Sequence, residues 1–443
     1  MNHFLKATIL LCVTLSIFAC NEKNGAFADL DTDLHFSYTK VTDVFVKSVG
    51  APELTTQQKN DVITKSYRFL ASLNSKVKQA NPAALSKTIS HYTIAPVTLK
   101  ISDSESVSLC VAHLTNNETN DGYMIFVNDN RIPYPLAYSD SGSWDISENE
   151  ELQAFILERF RAHITDEIKN AEVAAERPQT KGGSDECPWT ITSSTSGILA
   201  SGYCLSGVTW GQSKSPYDLF TPPRTSAGCV AVAVAHIMAY HQHPAVGIDV
   251  LTFILPHSYY WSWMKSQPKA SDLGYISNDL IARNDVANLT AEIGWHASLD
   301  YSSGTGTGTT ADAAQAFSDM GYTSTLYYSY GFTTIANSIN ANKPVFVVGG
   351  NGTSNIGHAW SIEGYESHFQ RNYYEQLQEN CPYVISQQFG YEEWLYWDFV
   401  WCNWGWEGEG NGNYYSGIFT LTAGGTSHNY SYDISMLTNI TPI

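Results

Sequence analysis

At 443 residues the chain is too long for one ordinary core, and its 43% hydrophobic and 13% aromatic content is enough to pack two domains. Its net charge is -19, and residues 182–443 hold only 7 Lys+Arg against 21 Asp+Glu. So acidic a surface lacks the cations that phosphate backbones recruit, which excludes nucleic acid as a partner.

Lys6 precedes an apolar run, Ala7 to Phe18, that is too short to span a bilayer permanently and ends at Ala19-Cys20. Residues 1–20 therefore read as an export signal. Ile17-Phe18-Ala19-Cys20 looks like a bacterial lipobox, which places a lipid anchor on Cys20 and makes the chain an exported, cell-envelope lipoprotein, released outside the cell only after processing. Export permits disulfides. Beyond Cys12 and Cys20 remain Cys110, Cys187, Cys204, Cys229, Cys381 and Cys402. Proximity favours the pairs Cys187–Cys204 and Cys381–Cys402, leaving Cys110 and Cys229 as thiols.

Residues 21 to about 36 are a polar tether, and residues 41–73 carry apolar side chains at helical spacing, including Val62, Tyr67 and Leu70. Short β-type runs follow at Val97–Ile101, Ser106–Leu114 and Gly122–Val127, and then a polar helix from Asn149 to about Glu176. Arg177-Pro-Gln-Thr-Lys-Gly-Gly-Ser-Asp185 has turn formers and no apolar anchor, so the domain boundary is placed near Lys181. In the second domain the run from Val230 to Tyr240 predicts a buried helix stopped by Pro244, and Asp279–Trp295 a further helix. The Gly-Thr-rich stretch Ser302–Thr310 reads as a flexible wall beside the site and leads into a short helix ending near Met320. Strands are expected at Pro344–Gly349, His358–Glu363, Trp394–Asn403 and Tyr414–Leu421. Helices first and strands second give an α+β class.

Cys229 carries most of the chemistry. Standing at a helix start, its thiol meets unpaired N–H groups and the positive end of the macrodipole, which favour a thiolate. A lone cysteine in a core helix is more often structural, so the reading depends on partners. His358, in Gly357-His-Ala-Trp360, follows about 130 residues downstream, in the order and at roughly the spacing found in papain. It is the candidate base. Asn403, in Trp401-Cys-Asn-Trp-Gly-Trp406, has a side-chain carbonyl able to accept the imidazole N–H and orient the ring among indoles. Gln212, in Trp210-Gly-Gln, has an amide N–H that can complete an oxyanion hole with the backbone N–H of Cys229. His236, His241 and His243 are poorly matched on a helix for metal binding and have no acidic or thiol ligands clustered with them, so neither a metal nor another cofactor is expected.

Taken together, Gly228-Cys-Val-Ala-Val-Ala-Val-Ala-His236, Trp210-Gly-Gln-Ser-Lys-Ser-Pro-Tyr217, Gly357-His-Ala-Trp360 and Asn403-Trp-Gly-Trp406 resemble the four active-site segments of the streptopain-like cysteine peptidases, in the same order. Gly122–Arg131 and Leu136–Trp144 are similar to the propeptide that precedes these peptidases. The resemblance implies a proenzyme: a signal peptide at 1–20, an α+β propeptide domain at 21–181 that folds with and inhibits the enzyme, and a papain-like peptidase domain at 182–443. It also implies hydrolysis of protein and peptide substrates through Cys229 and His358, with Asn403 orienting and Gln212 in the oxyanion hole. The chain departs from the family pattern in a long insertion from Glu366 to Glu393, expected to cap or narrow the cleft. It departs also in Glu407-Gly-Glu409, where the family is glycine-rich, and in Ala227 and Val232, where threonine is common. Two other readings use the same residues: an acyl-transfer enzyme such as a transglutaminase or amidase, and an inactive surface-binding homologue.

Overall fold

The computed structural model describes residues 45–47, 50–80, 86–115, 122–144, 150–176, 190–223, 225–252, 255–350, 357–375, 391–419 and 434–443. The expected signal and lipid site, the linker around Lys181, and Cys187 and Cys381 lie outside these residues.

The first part of the chain forms β1 (Phe45–Lys47), α1 (Thr56–Ala80), β2 (Thr88–Lys100), β3 (Ser106–Thr115), β4 (Tyr123–Val127), β5 (Ala137–Ser139) and α2 (Glu150–Glu176). The second begins with β6 (Thr190–Tyr203), α3 (Cys229–His241), β7 (Val246–Ile248), β8 (Pro256–Ser258), α4 (Trp261–Met264), α5 (Ser277–His296) and α6 (Thr310–Asp319). It continues through β9 (Tyr322–Tyr327), α7 (Phe332–Asn340), β10 (Val345–Gly350), β11 (Gly357–Glu375), β12 (Tyr391–Asn403), β13 (Gly412–Tyr415) and β14 (Ile434–Pro442). The α+β class expected from the sequence is the one observed.

One sheet runs through both parts in the order β1-β2-β3-β4-β5-β13-β12-β11-β10-β14-β9, with β6 added to β11. The join is antiparallel, Tyr138 against Asn413 and Ala137 against Tyr414. Apolar clusters consequently divide by sheet face and not at residue 181. Trp360, Ile362, Val345, Val347 and Met436 point into a core shared with α1, α2 and β2–β5. Their neighbours Ala359, Phe346 and Leu437 point the other way, into a core with α3, α5 and α6. This is the period-two alternation of a strand buried on both faces.

The sequence between Glu366 and Glu393 is, in its described parts, an extension of the β11–β12 hairpin, registered from Glu366 opposite Phe399 to Tyr374 opposite Tyr391. It leads along the strands to α1, where the Phe69 and His368 rings stack at 5.0 Å and Ser72 Oγ lies 3.3 Å from His368 Nδ1. Residues 376–390, the rest of the insertion expected to cap or narrow the cleft, lie outside the described residues. The suggested disulfides also change. Cys204 and Cys402 are buried thiols outside any disulfide, and Cys204 Sγ donates to Ile339 O at 3.3 Å. Burial raises both thiol pKa values.

Candidate active site

The segment that carries Cys229 owes its shape to a glycine. Gly228, the N-cap of α3, has φ +89°, a region that residues with a Cβ rarely enter, and a Cβ there would overlap the Gly306 carbonyl. Ser226 and Thr305 form a parallel bridge, with Ser226 N donating to Gly304 O at 3.0 Å and Gly306 N to Ser226 O at 3.1 Å. The Gly-Thr-rich wall is thus pinned to the turn that delivers Cys229. Cys229 is half-buried at the first residue of α3, and the Gly228 N-cap makes no side-chain cap there, so the residue stands at the positive end of the helix dipole.

Gln212 is placed beside it: its backbone carbonyl accepts from Ala227 N at 2.9 Å. The side chain is buried and its Oε1 has no hydrogen-bond partner among the described residues. Behind Gln212 lies Glu407, whose Cγ would meet a Cβ built on Gly211. The Glu407 carboxylate accepts from Tyr217 Oη at 3.1 Å and from Ser271 Oγ. One of the two carboxylates that break the glycine-rich pattern therefore braces the Gln212 turn.

His358 is the second residue of β11 and is 6% exposed. Its Nε2 lies 2.9 Å from the Trp404 carbonyl. A carbonyl only accepts, so Nε2 carries the proton and Nδ1 is left as the basic nitrogen. Trp360, Trp404 and Trp406 surround the ring with centroids 6.0 to 6.4 Å away, and Phe155 of α2 packs against it at 6.1 Å. That desolvation pushes the imidazole pKa down to about 4, partly offset by the bond to Trp404.

Asn403 does not hold the ring. Its Nδ2 donates to Val208 O at 2.9 Å and Glu363 Oε1 at 3.1 Å, and its Oδ1 accepts from Asn411 Nδ2 at 3.0 Å. The reason is register: Asn403 pairs with Ser361 across β11–β12, and the face carrying Ser361 looks toward α3, whereas His358 looks toward α2. Orientation of the imidazole falls to the next residue's backbone carbonyl.

One contact ties the helix that carries Cys229 to the strand that carries His358, and a second ties it to the Gln212 segment. His236 Nδ1 lies 3.5 Å from Ser361 Oγ, and its Nε2 donates to Trp210 O at 3.1 Å. From that crossing, seven residues along α3 lead back to Cys229 and three along β11 lead back to His358, each about 10 Å. The turn after Asn403 touches both elements: Gly405 abuts Val232 in the first turn of α3, while Trp404 and Trp406 flank His358 on the face that looks toward α2. Two groups had no motif to announce them: Glu363, a single acid in an apolar strand, and Phe155, a helix residue far upstream.

Residues 210–415 match the model of the Peptidase C10 family. Over 297 residues the chain is 25% identical to streptopain of Streptococcus pyogenes serotype M28 (strain MGAS6180), covering 58% of this chain and 68% of that protein. Streptopain of Streptococcus pyogenes serotype M1 matches to the same extent. A solved fragment of Prevotella intermedia prointerpain A aligns with 77% of this chain and 97% of its own length at 17% identity and a TM-score of 0.45. The C10 match spans the segments that carry Gln212, Cys229, His358 and Asn403, so residues 210–415 are similar to the cysteine peptidases of the Peptidase C10 family, to which the sequence resemblance pointed.

Proposed function

We propose that the chain is an exported cysteine endopeptidase made as a zymogen, with Cys229 as nucleophile and His358 as general base and acid. The observation that supports this reading is that one turn, Trp404–Trp406, packs against the first turn of α3 through Gly405 and holds His358 through the Trp404 carbonyl, with Nδ1 left basic. In the reaction, His358 Nδ1 takes the thiol proton and the Cys229 thiolate attacks the scissile carbonyl. Negative charge on the oxygen is met by the Cys229 N–H and the amide N–H of Gln212, a side chain whose oxygen has no partner among the described residues. The imidazolium then gives its proton to the departing amine. Water, activated by the same Nδ1, releases the acyl group.

Latency in this reading comes from α2. Phe155 covers His358, and Arg159 lies over the Phe155 ring at 5.5 Å while its Nη2 donates to Gly350 O. With the base buried by residues upstream of Lys181, the imidazolium needed beside a thiolate is disfavoured until the segment at 21–181 is removed. The chain's own propeptide is thus its first partner, and the lipobox-like Cys20 supports anchoring at the cell envelope. The test is Cys229→Ala. The variant should fold, hydrolyse no peptide, and lack the new N-terminus near Lys181 that the native chain acquires on incubation. Retained hydrolysis would sink the assignment.

A further inference from the structure

Glu363 is 1% exposed on β11, five residues past His358, and it lies at the junction of the three segments that build the site. Its carboxylate accepts from Ser206 N at 2.7 Å, from Ser206 Oγ at 2.9 and 3.0 Å, from Ser361 Oγ at 2.9 Å and from Asn403 Nδ2 at 3.1 Å. A buried acid surrounded by donors is held in one orientation, since every lone pair it presents is matched. From it, hydrogen bonds run to the base: Asn403 Oδ1 accepts from Asn411 Nδ2, Asn411 Oδ1 accepts from Trp404 N at 2.9 Å, and Trp404 O accepts from His358 Nε2. The same acid fixes the other side of the site. Ser206 Oγ lies 3.2 Å from Val208 O, Asn403 Nδ2 binds that same carbonyl, and the chain proceeds directly to Trp210 and Gln212.

We infer that Glu363 is a positioning residue for catalysis, which sets the Trp404 carbonyl that orients His358 and the Trp210–Gln212 turn that supplies the oxyanion donor. It touches neither substrate nor thiol. The inference rests on His358 and Cys229 being the catalytic pair. Groups of other elements that face the acid electrostatically are Lys265, whose Nζ donates to Ala239 O at 2.9 Å, and the thiols of Cys204 and Cys402; His236 faces it through Ser361. None forms an ion pair with it, so the carboxyl is held by neutral donors. Burial raises its pKa to about 7, consistent with that environment.

Glu363→Gln keeps the shape but turns one oxygen into a donor facing Ser206 and Asn403, which must rotate away. In the full chain after incubation, kcat per reactive thiol should fall about 10- to 100-fold, the scale for sub-ångström to 1 Å displacement of a reacting group, with KM within about twofold. The pH profile of Cys229 alkylation by iodoacetamide, corrected with Cys229→Ala, should move toward that of an ordinary thiol near about 8.5. Ser206→Ala, which removes only the hydroxyl, should shift both readouts in the same direction by less and serves should Glu363→Gln not fold. Native-like kcat and alkylation profile in either folded variant overturn the inference. Were the native chain itself to show no Cys229-dependent enhancement, the Cys-His reading would fail instead.

Discussion

Replacing Phe155 by Ala tests whether the upstream helix keeps the peptidase latent by drying its base. In the native chain the Phe155 ring lies 6.1 Å from His358, 5.6 Å from Trp360 and 5.9 Å from Trp404, and burial holds the His358 pKa at about 4 against an ordinary 6.5. At about 1.36 kcal/mol per pH unit, the imidazolium is disfavoured by about 3 kcal/mol. At pH 6 that leaves roughly 1% of the imidazole protonated, where an unperturbed one would be roughly three-quarters protonated. Truncating the ring opens the site from the α2 side, at a cost of about 3–5 kcal/mol of stability for a buried Phe. Two measurements on the uncleaved, folded variant decide the matter: the pH titration of His358 in isotope-labelled protein, and Cys229-dependent alkylation between pH 5 and pH 7. The pKa should climb from about 4 toward 6.5 and the alkylation rate at pH 6 should rise by about tenfold or more. An imidazole that still titrates near 4, with an unchanged rate, refutes the claim that α2 is what desolvates the base.

Gly228→Ala forces a Cβ onto the Gly306 carbonyl at φ +89°, so peptide hydrolysis should fall at least about tenfold and the thermal midpoint should drop. Gly304→Ala is the control, since φ there is +90° but nothing lies within 4 Å; its loss, read by urea melts, should stay near the 1–2 kcal/mol of backbone strain. Acid should loosen the uncleaved form, because burial holds His358 and His236 at about 4 and His163 at about 3, all below the unfolded value near 6.5. Each stabilises the fold fully above pH 6.5 and loses that contribution as pH falls toward its folded value, by up to about 2 kcal/mol at pH 5. Glu363 acts in the opposite sense, since its pKa is raised to about 7: it favours the fold below the unfolded value near 4.5 and loses that as pH rises through 7. Three histidines outweigh one acid, so the thermal midpoint should fall between pH 7 and pH 4.5; a midpoint that rises over that range contradicts the balance.

Elements with strong periodicity or clear stops were legible in the sequence. The polar helix expected from Asn149 to Glu176 is α2, Glu150–Glu176, and the run stopped by Pro244 is α3, Cys229–His241. The strand β6, Thr190–Tyr203, was not legible: Ser, Thr and Gly fill it, its faces do not alternate in polarity, and it exists because β11 offers an edge from Glu375 to Gly364. For the same reason the joining of the two parts into one sheet could not be read. The pairing of Ala137–Tyr138 with Asn413–Tyr414 is a long-range contact that neither segment announces locally.

The site divides along the same line. Side chains proposed to act through their own chemistry, a thiol at a helix start or a histidine near the start of a strand, stand out by residue type. Groups that act through the backbone or through burial do not. Asn403 has the right chemistry to orient an imidazole, yet the strand register turns it toward Glu363, and Trp404 performs that task with a carbonyl every residue possesses. Its neighbour's side chain remains necessary in another way, because Asn403 and Asn411 fix the Trp404 peptide. Substituting Asn403 should therefore act on the base at one remove, through the placement of Trp404. A motif that places an asparagine near a catalytic histidine says that the asparagine matters; only the register says through which atoms.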